Sequence, residues 1–109
     1  TQRVARIIGK SLAMEMIMNG RALFAEEAHQ RGIVSRLVEP TEIEAEAVQL
    51  ASELAARAPL AVRAGKACVN KAMSSTLEEG LLFERNAFIP LFDTEDAKQM
   101  MTAFLNKSN

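Results

Sequence analysis

Three pairs of adjacent carboxylates, Glu26-Glu27, Glu78-Glu79 and Glu95-Asp96, are the groups best able to share acid and base work. Each pair falls in the first turn of an expected helix. There the positive end of the helix dipole and capping hydrogen bonds account for acidic side chains without catalysis. His29, the single histidine, would serve a general base or a metal site. It stands between Ala28 and Gln30 in a polar helix, with no acidic or cysteine neighbour at ligand spacing. Cys68 lies among Ala67, Val69 and Ala72 and reads as a small buried apolar residue rather than a nucleophile. No nucleophile, base and orienting acid come together, so no catalytic residue and no metal ligand is assigned. Glycines 9, 20, 32, 65 and 80 are scattered, and no phosphate-cradling loop follows a strand. The six Met read as gap-filling core or subunit contact.

The elements that carry these residues follow from apolar spacing. Residues 2–8 and 11–19 form two short helical segments around Gly9, with Ser11 as the expected N-cap of the second. Leu12, Ala13, Met16 and Ile17 make one face of that second helix, and Met14 and Met18 carry apolar surface most of the way round. Such a helix needs cover on more than one side. Asn19-Gly20 ends it, since both residues tolerate the left-handed conformation. Residues 25–32 form a short helix stopped by Gly32, and IVSRLVE then reads as a strand ending at Pro40. A lone strand has no ladder partner, so its hydrogen-bonding partners are expected outside this sequence.

From Pro40 onward the pattern is helical. Thr41 and Glu44 have capping-box spacing, and Ile43, Ala47, Leu50, Ala51, Leu54 and Ala55 form an apolar stripe. Pro59 opens a second helix running to about Met73. A third starts near Ser75 to Glu78, again with capping-box spacing, and ends or bends near Pro90. Thr94 caps the fourth, whose apolar face is Ala97, Met100, Met101, Phe104 and Leu105. The expected fold is mainly α with one short strand.

Composition excludes several classes of function. Thirteen Lys and Arg against fourteen Asp and Glu, with no long basic run, leave no footprint for nucleic acid. The absence of Trp and Tyr removes the usual stacking platforms for single strands. One cysteine permits neither an intrachain disulfide nor a Cys-rich zinc site, which points to the bacterial cytoplasm or the mitochondrial matrix. The longest apolar stretches, such as LAMEMIM, fall far short of the ~20 residues that span a bilayer. The opening TQRVARIIGK begins in mid-pattern and reads as a cut end.

In order along the chain, TQRVARIIGKSLAMEMIMNGR, AEEAHQRGIVSRLVE, APLAVRAGKACVN, TLEEGLLFERNAF and FDTEDAKQMMTAFLNK resemble the enoyl-CoA hydratase/isomerase (crotonase) family downstream of its Gly-rich turn. The resemblance covers essentially the whole chain. It implies that residues 1–39 are the last turn of a spiral core of β-β-α turns and that residues 40–109 are a C-terminal helical trimerisation region. It further implies a C-terminal part of an enoyl-CoA hydratase, which adds water across the double bond of a 2-enoyl-CoA. The two catalytic glutamates and two oxyanion-binding N–H groups of that family precede Thr1, so the chain alone is expected to be inactive. Phe88 and Lys107 match family positions around the CoA moiety, the lysine reaching toward the adenine nucleotide. The implied partners are the N-terminal crotonase core, further copies in a homotrimer or dimer of trimers, and acyl-CoA. No nucleic acid, membrane or cofactor is implied, the CoA thioester being substrate. The alternatives are a crotonase-family isomerase or decarboxylase, and a non-catalytic helical association module.

Overall fold

The computed structural model describes the backbone of residues 1–107 and the side chains of residues 1–106. Seven α-helices follow one another among these residues: α1 (Gln2–Ile8), α2 (Lys10–Asn19), α3 (Ala25–Gln30), α4 (Ile43–Ala55), α5 (Pro59–Ala72), α6 (Leu77–Phe88) and α7 (Glu95–Lys107). Short 3-10 segments, Pro40–Glu42 and Ile89–Asp93, lead into α4 and α7. Contacts divide the chain into two compact units, Thr1–Glu46 and Ala47–Asn109.

In the first unit, α1 packs on α2. Gly9 separates them with φ 85° and ψ 160°, a conformation open mainly to glycine. This moves the start of α2 one residue earlier than expected. Gly9 is the N-cap, and Ser11, placed inside the first turn, makes no cap bond. Gly20, at φ 66° and ψ 26°, closes α2 in the left-handed conformation. The end of α3 is a Schellman turn: the Gly32 N–H donates to His29 O at 3.0 Å and the Ile33 N–H to Ala28 O at 2.9 Å.

The expected strand over 33–39 does not form. No strand is present among the described residues, because ladder hydrogen bonds require a second strand. The start of this segment is tied instead to the end of α3, through the amides of Ile33 and Val34 on Ala28 O. The capping box expected at Thr41 and Glu44 is likewise replaced. Pro40 starts a 3-10 turn, the Glu42 N–H donating to Glu39 O at 2.9 Å, so Thr41 is already inside a helical turn.

In the second unit, α5 packs on α6, and the 3-10 segment Ile89–Asp93 packs on both α6 and α7. Pro59 occupies the first turn of α5 as expected. The capping box of α6 is made by Thr76 and Glu79, one residue beyond the expected pair. Ser75 is otherwise engaged: its Oγ donates to Lys71 O at 2.9 Å and helps end α5.

Among the described residues only Ala13 and Ala28 are buried. The accessible surface is 9180 Å², against roughly 7,200 Å² for two separate closed globules of these lengths. Many large apolar side chains are exposed. Met18 is 76% exposed, and Met100, Met101, Phe104 and Leu105 of α7 are between 46% and 72% exposed. No described helix is long and apolar enough to cross a membrane.

Candidate functional site

The carboxylate pairs serve local structure. Glu79 accepts from the Thr76 backbone N–H and the Thr76 hydroxyl, both at 3.0 Å, and these bonds hold its carboxyl below the ordinary value of 4.5. A carboxylate fixed in this way is neither a poised acid nor a free base. Glu95 pairs with Lys98 at 2.8 Å one turn along α7. Glu26 and Glu27 open α3, and Glu27 is held by arginines. His29 is exposed, and its Nδ1 lies 3.3 Å from Val34 O, a contact that supports the turn after α3. Among the described residues no cluster of His, Cys, Asp and Glu could hold a metal ion.

Cys68 is half-buried rather than enclosed. It lines a groove between α5 and α6 with Ala72, Ser75, Gly80, Leu81 and Glu84. A Cβ built at Gly80 would meet only Ser75 Oγ, at 3.6 Å, an ordinary contact, so the groove has room at that position.

One cluster escaped the sequence reading. Arg21 Nη2 donates to both oxygens of Glu27, at 3.1 and 2.9 Å, and its Nε lies 3.4 Å from Glu15. Arg31 Nε approaches the same Glu27 at 4.0 Å. Arg21 thus ties α2 to α3 across the turn at 20–24, while its Nη1 is buried without a hydrogen-bond partner. The three residues are spaced six apart on either side of a turn, so helical i,i+4 templates do not join them. A search for an arginine flanked by acids across a glycine turn would have found them.

The two residues expected around CoA belong to the second unit. Phe88 is the last residue of α6 and is half-buried. Lys107 ends α7, and its side chain lies outside the described residues. Between them the chain passes through Ile89–Asp93 and turns at Thr94. The Thr94 hydroxyl donates to Leu91 O at 2.6 Å and accepts from the Ala97 N–H at 3.3 Å. This N-cap was expected; its second bond, back into the 3-10 segment, was not.

Comparison with known proteins places this arrangement. The family model for enoyl-CoA hydratase/isomerase matches residues 1–109. Over 98% of its length the chain is 37% identical to the short-chain-enoyl-CoA hydratase of Clostridium acetobutylicum, covering 41% of that protein. Over the same share it is 43% identical to a probable enoyl-CoA hydratase of Rhizobium meliloti, covering 42%. The crystal structure of an enoyl-CoA hydratase subunit I from Geobacillus kaustophilus superposes with a TM-score of 0.93 at 44% identity, over 97% of this chain and 41% of that one. The chain therefore spans about two-fifths of the length of these relatives.

Proposed function

The chain belongs to the enoyl-CoA hydratase/isomerase family, and from that membership we propose that it works as the C-terminal part of an enoyl-CoA hydratase. The whole protein would add water across the double bond of a 2-enoyl-CoA. In this reading two glutamates would take a proton from the attacking water and deliver one to the substrate carbon, and two backbone N–H groups would bind the thioester oxyanion. All four would belong to the part of the whole protein that this chain does not span. Addition of water is redox-neutral, so the CoA thioester is substrate and no redox cofactor is needed. A compartment that keeps the Cys68 thiol reduced, the bacterial cytoplasm or the mitochondrial matrix, suits the chain.

Residues 1–39 would complete the spiral core, and residues 40–109 would supply contacts in a homotrimer or dimer of trimers. Phe88 would pack against the CoA moiety, and the Lys107 ammonium would pair with its phosphates as a charge-assisted donor. The observation that carries the reading is a match along 98% of the chain to 41% of a hydratase. The uncovered apolar surface of both units supports it, since soluble proteins cover patches of that extent.

The test compares the isolated 109-residue chain with the full-length protein that contains it. Loss of the conjugated thioester absorbance of crotonyl-CoA is followed for each. The full-length protein is expected to turn over and the isolated chain to be inert. Turnover by the isolated chain that survives repurification and disappears in Glu78→Gln would overturn this placement of the site. A full-length protein that shifts the double bond without hydrating it would replace the hydratase by a sister isomerase.

A further inference from the structure

We propose that Asn19-Gly20 is a site of self-modification, where succinimide closure converts Asn19 into aspartate and isoaspartate and loosens the turn that carries Arg21. Asn19 is the last residue of α2, and Gly20 closes that helix at φ 66° and ψ 26°. It is the only asparagine of the chain followed by glycine. Both residues are exposed, and neither belongs to the apolar face of α2. The reaction needs a main-chain nitrogen that is unengaged and uncrowded. Nothing lies within 4 Å of the place that a Cβ on Gly20 would take. At the ends of α1 and α3 the closing amides are engaged, the Gly9 N–H on Ala5 O at 3.2 Å and the Arg31 N–H on Glu27 O at 2.9 Å. The Gly20 N–H has no hydrogen-bond partner among the described residues. Ring closure therefore asks only the terminal residue of α2 to leave the helix, where helices fray, and breaks no bond at Gly20.

The chemistry balances without a cofactor. The Gly20 nitrogen attacks Asn19 Cγ: a C–N bond forms, the Cγ–Nδ2 bond breaks, and the Gly20 proton leaves with the amide nitrogen as ammonia. Water then opens the ring at one of its two carbonyls. One opening gives aspartate; the other gives isoaspartate, with the main chain routed through Cβ and Cγ. Either product sets a carboxylate in the last turn of α2, at the negative end of the helix dipole and one turn from Glu15, where a like charge is unfavourable. Isoaspartate also lengthens the main chain between α2 and Arg21. That arginine holds Glu27 at 2.9 Å and Glu15 at 3.4 Å across the turn, so its geometry depends on the length of chain before it.

The experiment ages the full-length protein in mildly alkaline buffer. Peptide mapping by mass spectrometry reads the change of amide to acid, and methylation by a protein isoaspartyl methyltransferase with labelled S-adenosylmethionine reads the isoaspartate. Asn19 is expected to be lost to both products, while Asn70 and Asn86, whose following amides lie inside α5 and α6, stay intact. The isoelectric point shifts toward acid, and the urea midpoint falls as the products accumulate. Asn19→Gln, which would have to close a larger ring, and Gly20→Ala, which crowds the attacking nitrogen, should block the change and keep their starting midpoints on ageing. Should Gly20→Ala fail to fold, Asn19→Gln alone carries the comparison. An Asn19 that survives ageing, or that is lost no faster than Asn70 and Asn86, would overturn the site. Conversion at Asn19 with an unchanged midpoint would overturn the loosening of the turn.

Discussion

Thr76 and Glu79 hold each other in both directions. The Glu79 N–H donates to Thr76 Oγ1 at 3.3 Å, and the Thr76 N–H donates to Glu79 Oε2 at 3.0 Å. Two of the amides that a helix start leaves unpaired are thereby satisfied by one pair of side chains.

The first prediction concerns acid. The Thr76 N–H, and after it the Thr76 hydroxyl, holds the Glu79 carboxyl below its ordinary value of 4.5 in the folded chain. The unfolded chain therefore takes up the proton first as pH falls. The stabilisation from Glu79 is complete above 4.5 and is lost as pH drops through the lower folded value. Urea melts of the full-length protein and of Glu79→Gln should differ near neutral pH and converge in acid. A difference that stays constant across that range would show that the charge plays no part in the cap.

Gly20→Ala isolates a backbone effect. Nothing lies within 4 Å of a Cβ built at position 20, so the change meets no steric obstacle. The left-handed φ of 66° remains, and an L-residue there costs roughly 1–2 kcal/mol. Gly20→Asn should cost less, since asparagine tolerates that region. Denaturation midpoints of the two variants would be read side by side; equal losses would mean that the turn, rather than its φ, was damaged.

Arg21 is predicted to be irreplaceable by lysine. A guanidinium reaches Glu27 through Nη2 and Glu15 through Nε at once, whereas an ammonium is a single point of charge. Arg21 is about one-third exposed, so solvent screening holds the expected loss for Arg21→Ala to about 1 kcal/mol. Arg21→Lys should recover less than half of it. A double-mutant cycle with Glu27→Gln measures the coupling, and a coupling near zero would make the cluster ornamental.

Phe104→Ala should act on assembly. If the exposed face of α7 docks in the full-length oligomer, truncating a buried phenylalanine there costs ~3–5 kcal/mol. Sedimentation should show the assembly loosening at concentrations where the unaltered protein remains intact. An unchanged oligomer with an unchanged melting temperature would show that this face of α7 takes no part in assembly.

Most of the helical order was legible because it rests on spacing and caps. Pro59, Asn19-Gly20 and Thr94 mark helix ends through properties of the residues themselves. The errors came where two residues competed for one role. Ser75-Glu78 and Thr76-Glu79 have the same capping spacing, and the choice fell to Thr76 because Ser75 is drawn to the Lys71 carbonyl of the preceding helix. Thr41 lost its cap to the fixed φ of Pro40, and Ser11 lost its cap to Gly9. The 33–39 segment has strand composition, but a ladder is a property of two strands and cannot be written in one. Arg21 was missed for a related reason: its partners are neighbours only after Gly20 and the following turn bring α2 and α3 together. Phe88 and Lys107 came from a family likeness, which names positions without giving their geometry.

The pairs of elements that pack closely, α1 with α2, α5 with α6, and Ile89–Asp93 with α6 and α7, are all neighbours in sequence. Contacts that close only short loops form early, on the microsecond scale of helices and helix pairs. In the whole protein proposed above, burial of the exposed faces of α2 and α7 would then wait for an encounter with a separate surface. The slow step in making this part of the protein should therefore be bimolecular or interdomain docking, with a rate governed by how soon a partner surface is presented and how concentrated it is.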